Sequence, residues 1–589
     1  MQSVQNFYTK NIDENELICQ RLKQNLSVLS IARLFTFIAL ISIPYLLRSN
    51  IIFVIAAIVV FGAVFLVLIK KYIKIKQRLK YHNNIVAINA KEIRALQYNF
   101  EEFPDGKEYL ELAHCYSQDL DLFGDTSFYQ YINRATLKEG EDAFAALLLS
   151  NTIANITSKQ EAIKEIADKA EWRQTFSANA MFIENETRIS SIVHWLESYT
   201  PFVPKIMRYL PFVILSVFSV VAVLTFFFGW LFNVLFIIIG IGLTISGFYF
   251  KHIQNLSAKA DKVKSVFKQY ATLLKLIEQE KFTSKLLKQQ QQKLAITNSK
   301  ASSAIAKFSK LLDVMDYNNN VFYIIFGNGC YLGALKTAYE IEKWLVTNKN
   351  QVADWFNVIS FFEGYNSLGN FAFNHPYFNY PSIKEGAFTF KAKELGHPLI
   401  AQEKIVKNDF EIDASSFHII TGSNMAGKST FLRSVGLGIF MANLGLPICA
   451  SSCVYAPIKL VTSMRSVDSL KKGDSYFFAE LKRLKMVVEL VKSEPYFVLL
   501  DEILRGTNSY DKATGSKQIV ARLLNENATG LIATHDLSLC DMANENNSVK
   551  NYHLDATIKN NTLSFDYRLK KGVSKTMNAS FMLKQMDLI

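Results

Sequence analysis

The chain has 589 residues, 50% hydrophobic, 13% aromatic and only 20% charged, with a formal net charge of +13. Apolar content this high excludes a disordered chain, and the length accommodates roughly three to five folding units at about 100–200 residues each. Six cysteines (Cys19, Cys115, Cys330, Cys449, Cys453 and Cys540) are scattered and form no C-x-x-C pair, which excludes a disulfide framework and favours a reducing compartment.

In chain order, a polar stretch over 1–28 leads into two uncharged runs, Leu34 to Leu47 and Ile51 to Ile69, separated by Arg48-Ser49-Asn50. The second run is 19 residues long, close to the ~20 that span a bilayer core. A cleaved leader is not expected, because residues 1–28 are long, polar and contain acids. Directly after this pair comes KKYIKIKQRLK (70–80), with six basic residues and no acid. Residues 81–200 are polar and helical in pattern, with a loop near Phe103-Pro104-Asp105-Gly106 and helix starts at Asp125-Thr126-Ser127 and Thr157-Ser158. Tyr209 to Phe250 is 42 residues without a charge, broken at Gly229-Trp230, which predicts two helices of ~20 residues joined by a tight turn.

The pattern therefore predicts two transmembrane hairpins, four membrane-spanning helices in all. Basic residues lie on their outer flanks: Arg21, Lys23 and the 70–80 cluster for one, Lys205, Arg208 and Lys251 for the other. That distribution places both termini and residues 81–200 in the cytoplasm. Intramembrane charge is nearly absent, so the hairpins read as anchors rather than a transport path.

After the second hairpin, residues 251–310 hold 13 lysines against Asp261, Glu278 and Glu280. Val263, Val266, Phe267, Tyr270, Leu273, Leu274 and Ile277 recur every three or four residues, which predicts an amphipathic helix with a lysine-rich outer face. Two partners suit such a face: DNA phosphates, neutralised without reading bases, or anionic lipid just inside the membrane. Residues 350–395, rich in Phe, Tyr, Asn and Pro, read as a connector. Beyond Leu395, short β-rich runs alternate with helices, the pattern of an α/β domain with a parallel sheet.

The chemistry is concentrated in that last third. Phe417-His418-Ile419-Ile420 reads as a buried strand, followed at once by Gly422, Ser423, Asn424, Met425, Ala426, Gly427, Lys428 and Ser429, then Thr430 at the start of an apolar helix. This is G-x-x-x-x-G-K-S in the strand–loop–helix context that lets backbone N–H groups and a helix N-terminus hold phosphate. Lys428 is expected to reach the β- and γ-phosphates of ATP, and the Ser429 hydroxyl to ligate Mg²⁺. A second apolar strand, Tyr496 to Leu500, ends in Asp501-Glu502. There Asp501 is placed to hold the metal and Glu502 to polarise the attacking water. A third, Leu531-Ile532-Ala533-Thr534, ends at His535, where a γ-phosphate sensor would stand.

TGSNMAGKST (421–430), DEILRGTNSYD (501–511) and ATHDLS (533–538), with GDSYFFAEL (473–481) between them, resemble the MutS proteins of DNA mismatch repair and recombination. His397-Pro398-Leu399-Ile400 looks like the opening of that family's ATPase domain, and residues 127–149 and 156–166 like the start of its helical core. No L-S-G-G-Q element of an ABC transporter is present. The resemblance implies a homodimer with nucleotide sites completed across the subunit interface, and it makes Ser475 the candidate to reach the partner's nucleotide. It also implies DNA as a partner. The family's mismatch readers carry an N-terminal α/β domain with a Phe-x-Glu wedge. Here a membrane hairpin takes that place, and Phe-x-Glu occurs only as scattered matches at Phe100, Phe182, Phe361 and Phe478. Residues 564–589 resemble the end of the ATPase domain without a further dimerisation helix pair.

The expected architecture is an α/β P-loop ATPase domain of ABC type at the C-terminus, after an all-α helical core and lever interrupted by two transmembrane hairpins. Its boundaries are a cytoplasmic tail (1–28), hairpin one (29–69), the first part of the core (70–200), hairpin two (201–250), a basic lever and connector (251–395) and the ATPase domain (396–589). The expected function is a dimeric ATPase tethered to the cytoplasmic membrane that couples ATP to DNA binding. The alternative is a mechanical ATPase acting on lipid or protein.

Overall fold

The computed structural model describes residues 2–111, 113–183, 189–229, 232–296, 299–423, 425–464, 476–559 and 562–574. It is a helical N-terminal region followed by a C-terminal α/β domain.

The first 96 residues make two long helices, Gln2–Leu46 and Ile51–Leu96. Asn50 caps the second by accepting from the Ile52 backbone N–H at 3.1 Å. The stretch expected as a tail is thus helical from Gln2 onward. It pairs with the polar half of its neighbour through Cys19 on Asn83 (3.2 Å) and His82 on Asn15 (2.7 Å), contacts that a single-helix reading of the sequence does not contain. The second apolar pair forms Leu210–Phe228 and Phe232–Phe248, and Gly229 closes the first of them with a left-handed φ of 71°. Among the described residues three helices, Gln2–Leu46, Ile51–Leu96 and Leu210–Phe228, are long and apolar enough to cross a membrane. A fourth counts if Phe232–Phe248 and Phe250–Lys259, which meet at a 60° bend, are one span. The most apolar 18-residue stretches of those three helices are 6%, 0% and 6% buried, so the protein itself leaves them uncovered.

The helical core is built on Phe250–Gln279, Ala301–Met315 and Gly333–Asn374. The predicted stripe on the first is buried in full, from Val263 to Ile277. Phe308 stacks on Trp344 at 4.1 Å between centroids, with the Phe267 ring edge-on to Trp344. Gly333–Asn374 is one helix of 42 residues, about 63 Å long at 1.5 Å per residue. It replaces most of the connector expected over 350–395. Val352, Trp355, Phe356, Ile359 and Phe362 are all buried along it, and burial outweighs the modest helix propensity of a Phe- and Asn-rich stretch.

Two buried carboxylates organise this core. Glu92, 2% exposed, accepts from Arg134 Nε (2.5 Å), Asn370 Nδ2 (2.8 Å) and Asn374 Nδ2 (2.9 Å), while Tyr8 donates to Asn374 (2.7 Å). Burial works to raise its pKa, but the Arg134 charge and these hydrogen bonds prevail and hold it below the usual value. Glu363, 1% exposed, accepts from the Thr136 and Leu137 backbone N–H groups at 2.5 and 3.0 Å, at the start of helix Lys138–Leu149. With no cation beside it, burial prevails and its pKa rises to about 7.

The α/β domain has a six-stranded sheet in the order Thr562–Lys571, Val549–Lys559, Phe417–Gly422, Thr529–Ala533, Tyr496–Asp501 and Lys459–Ser463. All neighbours are parallel except the hairpin of the first two. A four-stranded sheet of Ser382–Ile383, Ser452–Tyr455, Thr389–Leu395 and Asn408–Asp413 packs beside it, so strand structure of this domain begins before residue 396. The helical core grips the edge of the large sheet. The Thr462 N–H donates to the Cys115 carbonyl (2.8 Å), its hydroxyl to Asp119 (2.6 Å), and Arg483 donates to the His114 and Cys115 carbonyls (2.7 and 2.8 Å).

Because the folded pKa of Glu363 lies above its ordinary value of 4.5, its effect on stability is absent below pH 4.5 and destabilising above pH 7. Glu363→Gln keeps an acceptor for both N–H groups and removes the titration. Relative to wild type, it is expected to gain stability as pH rises from 4.5 to 7, by up to about 3 kcal/mol. Thermal unfolding of the two proteins across that range measures it.

Candidate nucleotide-binding site

The carboxyl ends of three adjacent parallel strands converge, the place where open α/β sheets bind ligands. Phe417–Gly422 runs straight into a loop that ends at helix Lys428–Leu444. Gly427 stands in the left-handed region at φ 93°, and a Cβ there would lie 2.9 Å from the Tyr567 ring, so glycine alone fits. Met425 crowns the loop, exposed and at φ 67°, while Ala426 is buried beneath it. Lys428, Ser429 and Thr430 form the first helical turn, whose backbone N–H groups lack intrahelical partners and suit an anion. Asn424 and Ser475, two of the expected site residues, lie outside the described residues.

Lys428 is 6% exposed, and its ammonium donates to the Gly422 and Ser423 carbonyls, both at 3.0 Å. Burial lowers its pKa, an effect that Glu502 and Asp501 oppose. The Ser429 hydroxyl donates to Asp501 Oδ2 at 2.5 Å. The other carboxylate oxygen, Oδ1, is buried with no hydrogen-bond partner among the described residues, and burial raises the Asp501 pKa. A hydroxyl beside a carboxylate with a spare buried oxygen is a hard donor set, and it fits Mg²⁺.

Glu502 follows in the left-handed region, φ 49°, and Leu504 repeats it at φ 61°. Such backbone costs of order 1–3 kcal/mol per residue and persists only where surroundings enforce it. Here the Glu502 N–H is held by the Ala533 carbonyl (2.9 Å), and the Leu504 N–H by Glu480 Oε1 (2.6 Å). The strained turn aims the Glu502 carboxylate at His535 Nε2, 2.9 Å away, with Arg505 Nε at 3.4 Å on the other oxygen. The His535 hydrogen bond and the Arg505 charge overcome burial and lower the Glu502 pKa to about 2. It is an ionised acceptor at neutral pH.

His535 Nε2 also lies 3.1 Å from the Lys428 ammonium. One ring nitrogen cannot donate to Glu502 and accept from Lys428 at once. Whichever way the proton sits, the site leaves one contact for a γ-phosphate to replace.

Sequence reasoning missed three contributors. Glu480 and Arg505 lie within the quoted motifs, but their task of bracing the Glu502 turn is visible only in space. Tyr567 comes from the far edge hairpin. With His397, Ile400 and Phe431 it lines a cavity of about 410 Å³ beside Gly427 and Ser429. Its depth and partly apolar walls suit a nucleobase and sugar.

Residues 418–586 match the family model for MutS domain V. Over this stretch the chain is similar to MutS proteins. Over 199 residues it is 35% identical to the DNA mismatch repair protein MutS of Persephonella marina, covering 33% of this chain and 23% of that protein. It is 33% identical to the DNA mismatch repair protein Msh2 of Dictyostelium discoideum over 183 residues (30% and 19%) and 29% identical to human MutS protein homolog 4 over 201 (32% and 21%). The chain thus spans about a quarter or less of the length of these curated relatives.

Two substitutions separate binding from turnover. Lys428→Ala removes the cation for the phosphates and should weaken ATP binding roughly 10- to 150-fold. Glu502→Gln leaves the Ser429–Asp501 pair intact. It should bind ATP normally while turnover falls by roughly 10²–10⁴-fold, read by equilibrium dialysis and phosphate release.

Proposed function

We propose that this protein is an Mg²⁺-dependent ATPase of the MutS type, anchored in the cytoplasmic membrane by its two hairpins and acting on DNA as a homodimer. The observation that carries the ATPase reading is the Ser429–Asp501 pair with its spare buried oxygen, set beside the Glu502–His535 pair at the ends of adjacent strands. ATP phosphates would lie in the loop from Gly422 to Thr430, with Lys428 exchanging its carbonyl partners for phosphate oxygens. Ser429 and Asp501 would hold Mg²⁺, which neutralises phosphate charge. Glu502, kept ionised, orients and polarises water, and His535 senses the γ-phosphate. The family resemblance assigns Ser475 to the partner's nucleotide, so that hydrolysis would require the dimer.

Membrane attachment rests on the uncovered apolar helices and on basic residues concentrated on one side of both pairs, against a single Arg48 in the turn of the first. In this orientation the termini and the ATPase domain are cytoplasmic. An alkaline carbonate wash is then expected to leave the protein in the membrane pellet, and recovery in the supernatant overturns the anchor.

DNA as the substrate rests on what the relatives' names state, mismatch repair, and on exposed lysines along Phe250–Gln279, of which Lys268 and Lys275, seven residues apart, share a face. Neither makes an ion pair among the described residues. Because the helix starts next to the second apolar pair, lipid headgroups or a protein load form the second reading. Salt titration of duplex binding by the solubilised protein separates the two. If DNA lies on this face, Lys268→Gln with Lys275→Gln flattens the slope of log affinity against log salt by about 1.8, at about 0.9 per phosphate contact. Unchanged slope, or no duplex binding, favours the lipid or protein load.

A further inference from the structure

Between Ala301–Met315 and Gly333–Asn374 the chain leaves the core through the short polar run Asp316-Tyr317-Asn318-Asn319-Asn320. It runs Val321-Phe322-Tyr323-Ile324-Ile325-Phe326 into a π-helical turn, Tyr323–Asn328, and a short helix, Gly329–Tyr331. Val321, Phe322 and Phe326 are 66%, 75% and 55% exposed. At about a dozen residues the stretch is too short to read as a span from sequence alone.

We infer that residues 320–332 form a re-entrant membrane wedge that dips into the lipid beside the second hairpin and returns without crossing. The inference rests on the membrane attachment proposed above and adds a third point of contact to it.

Position argues first. A Cβ on Gly242 would lie 2.1 Å from the Gly329 carbonyl oxygen, and one on Gly329 would lie 2.8 Å from Ile239 Cγ2. Backbone thus meets backbone at two glycines, the small-residue contact that packs helices in lipid. Gly242 precedes the end of Phe232–Phe248 by six residues, so the wedge reaches about 9 Å along the apolar span. Its exposed side chains continue a lipid-directed surface that includes Phe212, Phe236 and Ile237, at 50%, 62% and 59% exposure.

Length argues second. Thirteen residues extend about 20 Å even if wholly helical, short of the ~30 Å hydrocarbon core. The flanking helices meet on one side through the Phe308–Trp344 stack, so the segment has to return where it entered.

Polar satisfaction argues third. Asn328 accepts from the Leu332 N–H with its carbonyl (3.1 Å) and from the Ala334 N–H with its side chain (2.8 Å), bonding backbone at the break where lipid offers no partner. Charged groups gather only at the base. Lys264 pairs with Asp313 (2.7 Å) and Asp316, and Lys336 pairs with Glu340 (3.1 Å) while lying over the Phe212 ring at 4.8 Å. Such groups mark the level of the interface.

The wedge leads directly into Gly333–Asn374, whose other end holds Glu92 and Tyr8, in the polar parts of the two helices that carry the first hairpin. One helix therefore spans from lipid contact to lipid anchor beneath the ATPase domain.

The test uses the full chain in phosphatidylcholine–phosphatidylglycerol vesicles, with the fluorophore NBD on one introduced cysteine at a time: Phe322→Cys in the wedge, Val220→Cys in the hairpin, Lys288→Cys on the core. Nitroxide-labelled phosphatidylcholine is then added as quencher. The wedge requires loss of most NBD emission at 322, matching 220, with 288 unaffected. Quenching at 220 without quenching at 322 overturns the wedge and keeps the anchor. No quenching at either overturns both. A blue-shifted but unquenched signal at 322 identifies a protein surface as the occupant and also overturns the wedge. Adding Gly242→Leu should reduce quenching at 322 and leave 220 unchanged, because the side chain displaces Gly329; equal quenching with and without it overturns the glycine clamp.

Discussion

The buried Glu92 carboxylate decides how the parts of this molecule are joined. It belongs to the polar end of helix Ile51–Leu96, yet its partners come from the middle of the core (Arg134) and the end of the 42-residue helix (Asn370 and Asn374). A buried charge stripped of its partner costs about 3–5 kcal/mol, so the three elements are held in one arrangement. The Tyr8 hydroxyl extends the same network to the first helix. Motion of the hairpin relative to the core is thereby limited to what this node transmits.

The α/β domain is joined to the core with comparable firmness. Residues 114–119 line the edge strand Lys459–Ser463, and Lys159 donates to the Asn443 carbonyl (3.1 Å) at the far end of the helix that begins at Lys428. Changes at the phosphate loop thus have a mechanical path into the core: through that helix to Lys159, and through the sheet edge to Cys115 and Asp119. The strained turn at Glu502 is the part of the site with the least local reason to hold its shape. Glu480 and the Ala533 carbonyl supply the reason from neighbouring elements.

The electrostatics of the site follow from the same crowding. His535 Nε2 stands between Lys428 and Glu502, a single imidazole nitrogen facing two claims. Asp501 and Ser429 form a separate pair with one oxygen to spare. In the proposed ATPase the first group would change partners when phosphate arrives, and the second would accept a cation without rearranging.

Local pattern was enough for some of this. The uncharged runs at 34–69 and 209–250 predicted apolar helices because a run of that length has no other stable use, and the stripe from Val263 to Ile277 predicted its own burial by its period. The phosphate loop, Asp501, Glu502 and His535 were legible because each ends an apolar strand in a fixed order. Tertiary structure alone decided the rest. The long helix through 350–374 forms against weak propensity because other helices bury it. Glu363 stays high in pKa and Glu92 low because only one of them meets an arginine. Tyr567 reaches Gly427 from 140 positions away. A sequence records what each segment can do alone. Which carboxylate finds a cation, and which apolar segment finds a glycine to lean on, is set by contacts between segments far apart in the chain.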